Sequence, residues 1–422
     1  MELKPGFKET VVGAIPKDWE CTNVRGIASA ARNAIAGGPF GSDLVSADYV
    51  NFGVPVIRGQ NMGGQWVGGN FAFVTEDKAK SLDSNLARPH DIVFTQRGTL
   101  GQVSLVPNEP FAAYLISQSQ MKLSSNRTIA DPLFYYYVFT SDDQQSRIRG
   151  GTIQTGVPHI NLGILKDIPV QRPPIAEQRA IAAALSDIDA LLEGLGRLIA
   201  KKCDLKKAAM QQLLTGQIRL PGFFGKWKLK VLADCLRTVP DYGINAPAVV
   251  YSERLPTYIR ITDISVDGRF RPAPRVSVKS FFSDQYLLTE GDIVFTRTGA
   301  SVGKAYCYRL EDGPLVFAGF LIRVRPDADA LMPAYLAAYA TTKPYWDWVT
   351  LMSMRSGQPG INGKEYGQLP INLPPPAEQT AIAAVLSDMD TEISTLESRR
   401  IKTRALKQSM MQELLTGRIR LV

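Results

Sequence analysis

The sequence predicts an α+β protein built twice over: two globular α+β modules separated by two long antiparallel helices that form a coiled coil, a pseudo-two-fold internal repeat. Three observations predict it. The 422-residue chain matches itself at an offset of 201 residues, and a fixed-period repeat constrains architecture before any single motif is read. In each copy a long proline-free stretch carries apolar residues in a four-three alternation, the signature of a helix seam. Ahead of each stretch lie short extended runs broken by turn residues. The chain therefore divides into a first module (1–168), a first helical region (169–220), a second module (221–368) and a second helical region (369–422).

In the first module the extended runs are 55–58, 92–95, 103–106 and 111–116, and a helix is expected over 132–140. Residues 168–220 then align without a gap on 369–421, with about half the positions identical. Both copies hold Ala-Glu-Gln (176–178, 377–379), Ala-Ile-Ala-Ala (180–183, 381–384), Leu-Ser-Asp (185–187, 386–388) and Leu-Leu-Thr-Gly (213–216, 414–417). Between Pro174 and Thr215 no proline intervenes, Glu177 stands near the positive end of the dipole and Gly216 ends the run, so one long helix is expected. Its seam is Ile181, Leu185, Ile188, Leu192, Leu195 and Ile199. The second module has extended runs at 257–262, 293–296, 305–308 and 315–324, and a helix at 333–341. The second seam is Ile382, Leu386, Met389, Ile393 and Leu396. Lys202 and Arg400 stand where the seams would continue, which predicts looser packing or a snorkelled cation. A helix of about 42 residues is roughly 60 Å long. A module between the two helices makes the chain return, so an antiparallel pair is the simplest arrangement; two separate helical bundles are the alternative. Near-constant helices beside divergent modules imply a partner that meets both helices alike and a different ligand for each module.

With 45% hydrophobic and 21% charged residues the chain has ample means to bury a core. No apolar run approaches the roughly 18 residues of a membrane span, and residues 1–19 lack the apolar core of a signal peptide. The expectation is a cytoplasmic protein without membrane contact. Cys21, Cys203, Cys235 and Cys307, with His90 and His159, are too dispersed for a disulfide framework or a zinc site, and the thiols read as reduced and structural. The net charge of +8 favours a polyanionic partner. Over the four segments it is 0, +3, +4 and +1, so nucleic-acid binding by the first module would require segregated surface charge.

Polar residues gather at the ends of the extended runs. In the first module they are Arg58, Gln60 and Asn61; Gln96, Arg97 and Thr99; and Arg149, Thr152, Gln154 and Thr155. In the second they are Arg260 and Thr262; Arg297, Thr298 and Ser301; and Arg355, Gln358 and Asn362. Arg, Gln and Asn can bond base edges in bidentate fashion, and adjacent glycines such as Gly98 and Gly299 let backbone approach a phosphate. Solvated turn chemistry is the other reading of the same residues. Gly299-Ala300-Ser301-Val302-Gly303-Lys304 is one residue short of a nucleotide-binding loop and is followed by Ala305 instead of Ser or Thr. Two histidines supply no Ser/His/Asp set, no acidic cluster has metal-nuclease spacing, and the Pro-Pro pairs open helices instead of holding a flipped base. The chain reads as non-catalytic, with no cofactor of its own.

These residues resemble a known family, the DNA specificity subunit of type I restriction-modification systems. The resemblance is carried by Gly13-Ala14-Ile15-Pro16-Lys17-Asp18-Trp19-Glu20, by Pro55-Val56-Ile57-Arg58, by Asp292 to Gly299, and by the doubled Pro-Pro…Ala-Glu-Gln helix ending Leu-Leu-Thr-Gly; it spans the whole chain. It implies two target-recognition domains, each reading half of a split, asymmetric site on double-stranded DNA. It also implies two conserved helical regions that pack antiparallel as a ruler and dock two methyltransferase subunits, with restriction/translocase subunits joining the complex. S-adenosylmethionine, ATP and Mg²⁺ are implied for those partner chains and not for this one. One departure is the second module's opening, Phe224-Gly225-Lys226-Trp227-Lys228, which lacks the Ile-Pro of the first. The alternative function is a coiled-coil scaffold that binds no DNA and tethers two protein-binding modules.

Overall fold

Two helices of 39 and 40 residues, Ile175–Leu213 and Pro376–Leu415, follow the two modules. Each is followed by a glycine in the left-handed region, Gly216 (φ +73°) and Gly417 (φ +70°), where a side chain would be strained. The computed structural model describes residues 5–151 and 159–421. Contacts divide the chain into two units, Met1–Leu195 with Arg399–Val422, and Gly196–Ser398, so each unit joins one module to a piece of both helices.

Within each unit the helix pieces are antiparallel. In the first, Ile181 and Leu185 share a core with Leu414 and Leu415, while further along Asp189 meets Lys407 at 2.6 Å. In the second, Ile382 and Leu386 share a core with Leu213 and Leu214, and Asp390 meets Lys206 at 2.6 Å. The same aspartate and the same lysine of the repeat thus pair in both units. Of the seam residues, Ile181, Leu185, Leu195, Ile199, Ile382, Leu386 and Ile393 are buried, and Ile188, Leu192, Met389 and Leu396 are half-buried. Each fully buried aliphatic side chain stabilises the pair by about 1.5–3 kcal/mol. Lys202 leaves the seam to reach Glu392 at 2.7 Å, the snorkelled cation expected there.

The doubled Ala-Glu-Gln anchors each module to its helix. The buried Glu177 accepts bonds from the Trp19 indole (2.9 Å) and from Arg420 (2.8 Å), whose guanidinium also lies over the Trp19 ring. Glu378 accepts equivalent bonds from Trp227 (3.2 Å) and Arg219 (2.6 Å). The neighbouring amides ligate backbone: Gln178 donates to Ile129 and Pro173 carbonyls and accepts from the Asp131 N–H, and Gln379 does the same with Ala330, Pro374 and Met332.

Each module is built on two sheets. The first module has an antiparallel sheet in the order Val103–Leu105, Ile92–Thr95, Gln120–Leu123, Ile35–Gly37, and a five-stranded sheet in which Val54–Ile57 pairs in parallel with Tyr114–Ile116. The second module repeats the plan with Asp241–Tyr242, Leu321–Val324, Ile293–Thr296 and Ala305–Cys307, and with Thr257–Ile259 parallel to Leu315–Phe317. Pro132–Thr140 and Pro333–Tyr339 are helical, as expected, and pack against the long helices. A third helix-proximal pairing, Glu20–Asn23 with Pro169–Arg172 and Lys228–Val231 with Pro370–Leu373, ties each module's start to its end.

The expected run 111–116 is strand only over Tyr114–Ile116, the runs 103–106 and 305–308 each end one residue early, and two further runs are cut short for a local reason. The run 257–262 stops at Ile259, because the Asp263 carboxylate accepts the Arg260 N–H at 2.8 Å and folds the chain into a turn. The run 315–324 breaks into two strands, because the Leu321 N–H closes a turn onto the Ala318 carbonyl at 2.8 Å and sends the chain into the other sheet. All four cysteines are free, and burial pushes the Cys307 thiol up to about 11. Among the described residues no helix is long and apolar enough to cross a membrane.

Candidate nucleic-acid interface

The turn that passes the chain between sheets gathers the candidate loops. In the first module the Ser117 N–H donates to the Ile57 carbonyl (3.0 Å), beside Arg58, and the Gln96 N–H donates to the Ser119 carbonyl (2.6 Å). In the second the Ala318 N–H donates to Ile259 (3.1 Å), beside Arg260, and the Arg297 N–H to Phe320 (3.1 Å). A third loop joins by single bridges, Arg97 to His159 and Thr298 to Gly360. The loops at 58–61 and 96–99, and those at 260–263 and 297–301, therefore converge at one end of their modules. Their positions correspond residue for residue: strand pairing sets Thr95 opposite Gln120 as it sets Thr296 opposite Leu321. Arg297 is thus the counterpart of Gln96, and Thr298 of Arg97.

The side chains divide by what already holds them. Asn61 is buried and occupied: its carbonyl oxygen accepts the Arg58 N–H and its amide donates to Gly68 and Asn70. Arg260 forks onto Asp263 at 2.9 and 2.8 Å. Arg355 pairs with Glu365, and Asn362 caps the helix Gly363–Gly367 in a reciprocal box with the same glutamate. Thr262 and Ser301 make only long bonds, to Asp263 and to the Thr298 carbonyl, both at 3.5 Å, and Gln60 reaches the Asn70 carbonyl at 3.1 Å. Arg58 faces the neutral Asn61 where Arg260 faces an aspartate, and its buried Nε has no partner among the described residues. Gln96, Arg97, Thr99, Arg149, Arg297, Thr298 and Gln358 stand exposed or half-buried, and among the described residues none has a side-chain hydrogen bond or ion pair. Thr152, Gln154 and Thr155 lie outside the described residues.

The helices present a second repeated surface. In the first unit Ala183 and Asp187 are exposed on one helix and Lys402 and Leu406 on the other; in the second unit the equivalents Ala384, Asp388, Lys201 and Leu205 are exposed in the same way. Spacings of four residues put each pair on one helix face. Sequence identity alone did not separate these exposed repeats from the buried Glu177-Gln178 and Glu378-Gln379.

The profile of the type I restriction modification DNA specificity domain matches residues 16–201 and 277–404. The specificity subunit of the type I restriction enzyme MjaVIII from Methanocaldococcus jannaschii is 25% identical over 321 residues, covering 72% of this chain and 74% of that one. The EcoKI specificity subunit of Escherichia coli K12 is 22% identical over 441 residues, 97% and 90% of the two chains. Among solved structures, the S subunit of a type I system from M. genitalium has the same fold, with a TM-score of 0.57 over 98% of both chains at 16% identity. Since the matched segments take in well over half its length, the chain belongs to the type I restriction-modification DNA specificity family, as a non-catalytic subunit that recognises DNA sequence alongside restriction-modification partners.

Proposed function

We propose that each module reads one half of a bipartite, asymmetric site on double-stranded DNA, and that the paired helices fix the spacing of the halves. The observation that carries this is the turn-centred cluster of loops, built on one backbone plan in both modules but bearing different side chains at equivalent positions. Like backbones with unlike donors suit two different half-sites. Half-sites read from one face of the duplex lie about 34–36 Å apart, a length that helices of roughly 60 Å can span.

The repeated exposed residues on the helices supply two equivalent docking faces, which supports two methyltransferase subunits per chain, with restriction/translocase subunits beyond them. S-adenosylmethionine, ATP and Mg²⁺ belong to those chains in this reading. Lys304, in the loop one residue short of a nucleotide-binding motif, donates to the Ile264 carbonyl at 3.1 Å. The site of action is the cytoplasm, where chromosomal DNA lies.

The test is a comparison of host DNA methylation with and without this chain, expressed beside its neighbouring methyltransferase subunit. A gapped two-part motif bearing N6-methyladenine is expected. An unchanged methylome, together with DNA affinity that does not fall with rising salt, would return the chain to the protein-tethering scaffold. Spacing has its own test. Seven residues inserted after Leu195 and seven after Leu396 keep the seam in phase and lengthen the pair by roughly 10 Å, about three base pairs. The unread spacer in the motif should lengthen accordingly; an unaltered spacer sinks the ruler.

A further inference from the structure

The register of the two modules puts Gln96 and Arg297 in one backbone socket. In each case the main-chain N–H is held by the sheet-switching turn, at Ser119 or Phe320, and the carbonyl accepts the N–H of Ile160 (3.1 Å) or Ile361 (2.9 Å). Both peptide groups of the socket are fixed, so the side chain leaves it in a set direction. The floor beneath differs. Strand pairing sets Gly37 opposite Met121 and Tyr242 opposite Ile322, the equivalent position. The Gln96 amide oxygen lies 3.7 Å from where a Cβ on Gly37 would stand. The Arg297 guanidinium instead lies 4.9 Å from the centre of the Tyr242 ring, and Tyr242 is itself pinned by the Gly363 N–H at 3.0 Å.

Stacking on a ring orients a guanidinium while leaving the N–H donors at its edge unused. Among the described residues no carboxylate or carbonyl takes those donors, and none takes the Gln96 amide. The contrast within the second module is sharp: Arg260 and Arg323 both fork onto aspartates. A half-buried arginine that is positioned but unpaired is prepared for a ligand with two acceptors side by side. A carboxamide in the same socket offers one donor and one acceptor.

We infer that Gln96 and Arg297 are the equivalent base-reading side chains of the two modules, and that they read different bases: Gln96 an adenine in one half-site, Arg297 a guanine in the other. This rests on the DNA-reading function proposed above. The pairing follows from edge chemistry. A carboxamide matches the N6 donor and N7 acceptor of adenine in the major groove, and a guanidinium fork matches the O6 and N7 acceptors of guanine. The inference also separates Arg297 from Arg97, which occupies the next position and pairs in register with Thr298.

The experiment is the methylation motif of the full chain, co-expressed with its methyltransferase subunit, as wild type and as Gln96→Arg, Arg297→Gln, Gln96→Ala and Arg297→Ala. Gln96→Arg should convert one A·T pair of a single half-site to G·C, and Arg297→Gln should do the reverse in the other half-site. The alanine variants should accept any base at those positions, with a loss of roughly 10- to 100-fold discrimination in competition binding between matched DNA duplexes. Where a swap abolishes methylation, the competition binding decides: discrimination lost at one base pair supports the assignment, and discrimination kept at every pair overturns it. A wild-type two-part motif that both alanine variants reproduce unaltered overturns the inference while DNA reading stands. Absence of any wild-type motif, with no salt-dependent DNA binding, overturns the reading on which it rests.

Discussion

Replacing Arg323 with leucine is expected to destabilise the second unit by about 3 kcal/mol and to leave the first unit unchanged. Arg323 is 3% exposed. It donates to both oxygens of Asp241 at 3.0 and 2.6 Å and to the Leu287 carbonyl at 2.9 Å, stands 3.6 Å from Asp292, and lies over the Phe317 ring at 4.6 Å. Leucine fills much of the volume but strands the Asp292 carboxylate, also 3% exposed, with Arg325 as its one remaining cation among the described residues. A buried charge that loses its partner commonly costs about 3–5 kcal/mol, and Arg325 holds the figure at the low end. The first module offers an internal control. Its equivalent cation is Lys122, 3.9 Å from Asp91, and burial pulls the lysine pKa down while Asp91 opposes the shift. Lys122→Met leaves the buried Asp91 with no ion-pair partner among the described residues and should cost the first unit about 3 kcal/mol or more while sparing the second. Hydrogen exchange resolved along the chain separates the two units. Protection unchanged over 293–324 in the Arg323 variant would show that the arginine is replaceable by packing alone.

The long helices were legible because their period persists for some forty residues, long enough to outvote local composition. The short strands were not. Ile35–Gly37 and Glu20–Asn23 carry three or four residues each, and their partners, Gln120–Leu123 and Pro169–Arg172, lie far along the chain, so no local pattern announces them. The candidate loops were legible as places and less so as chemistry. Asn362 and Glu365, three apart, already spell a capping box, and Arg260 with Asp263 spells a local ion pair; both could be read from spacing. The equivalence of Gln96 with Arg297 was also present in the offset of 201, but matching by residue type draws the eye to Arg97 instead. What spacing cannot supply is the floor under each socket, because Gly37 and Tyr242 reach it through strand pairing and stand 205 positions apart.

The doubled Ala-Glu-Gln shows the same limit, and its prediction is the sharper for it. In sequence Glu177 is an acidic residue at a helix start; in the structure it is fully buried and held by Arg420 and Trp19. Replacing Arg420 with alanine leaves that carboxylate with a single side-chain donor among the described residues, the Trp19 indole N–H. The expected loss is about 3 kcal/mol, the low end for an unpaired buried charge, because the guanidinium is itself a third exposed. The loss should fall on the first unit, where hydrogen exchange quickens over 13–23 and 175–195. Arg219→Ala, which removes the equivalent partner of Glu378, should quicken exchange over 228–236 and 376–398 and spare the first unit. Acid adds a second readout. Arg420 holds the Asp18 carboxyl below the ordinary aspartate range, so its contribution is present above that range and is lost as pH falls through the lowered value. Wild type should therefore lose first-unit stability in strong acid more steeply than Arg420→Ala, which has lost the contribution already. If both arginine variants loosen both units alike, the two anchors are not independent, and the repeat is one cooperative body instead of two units closed by the same pair of residues.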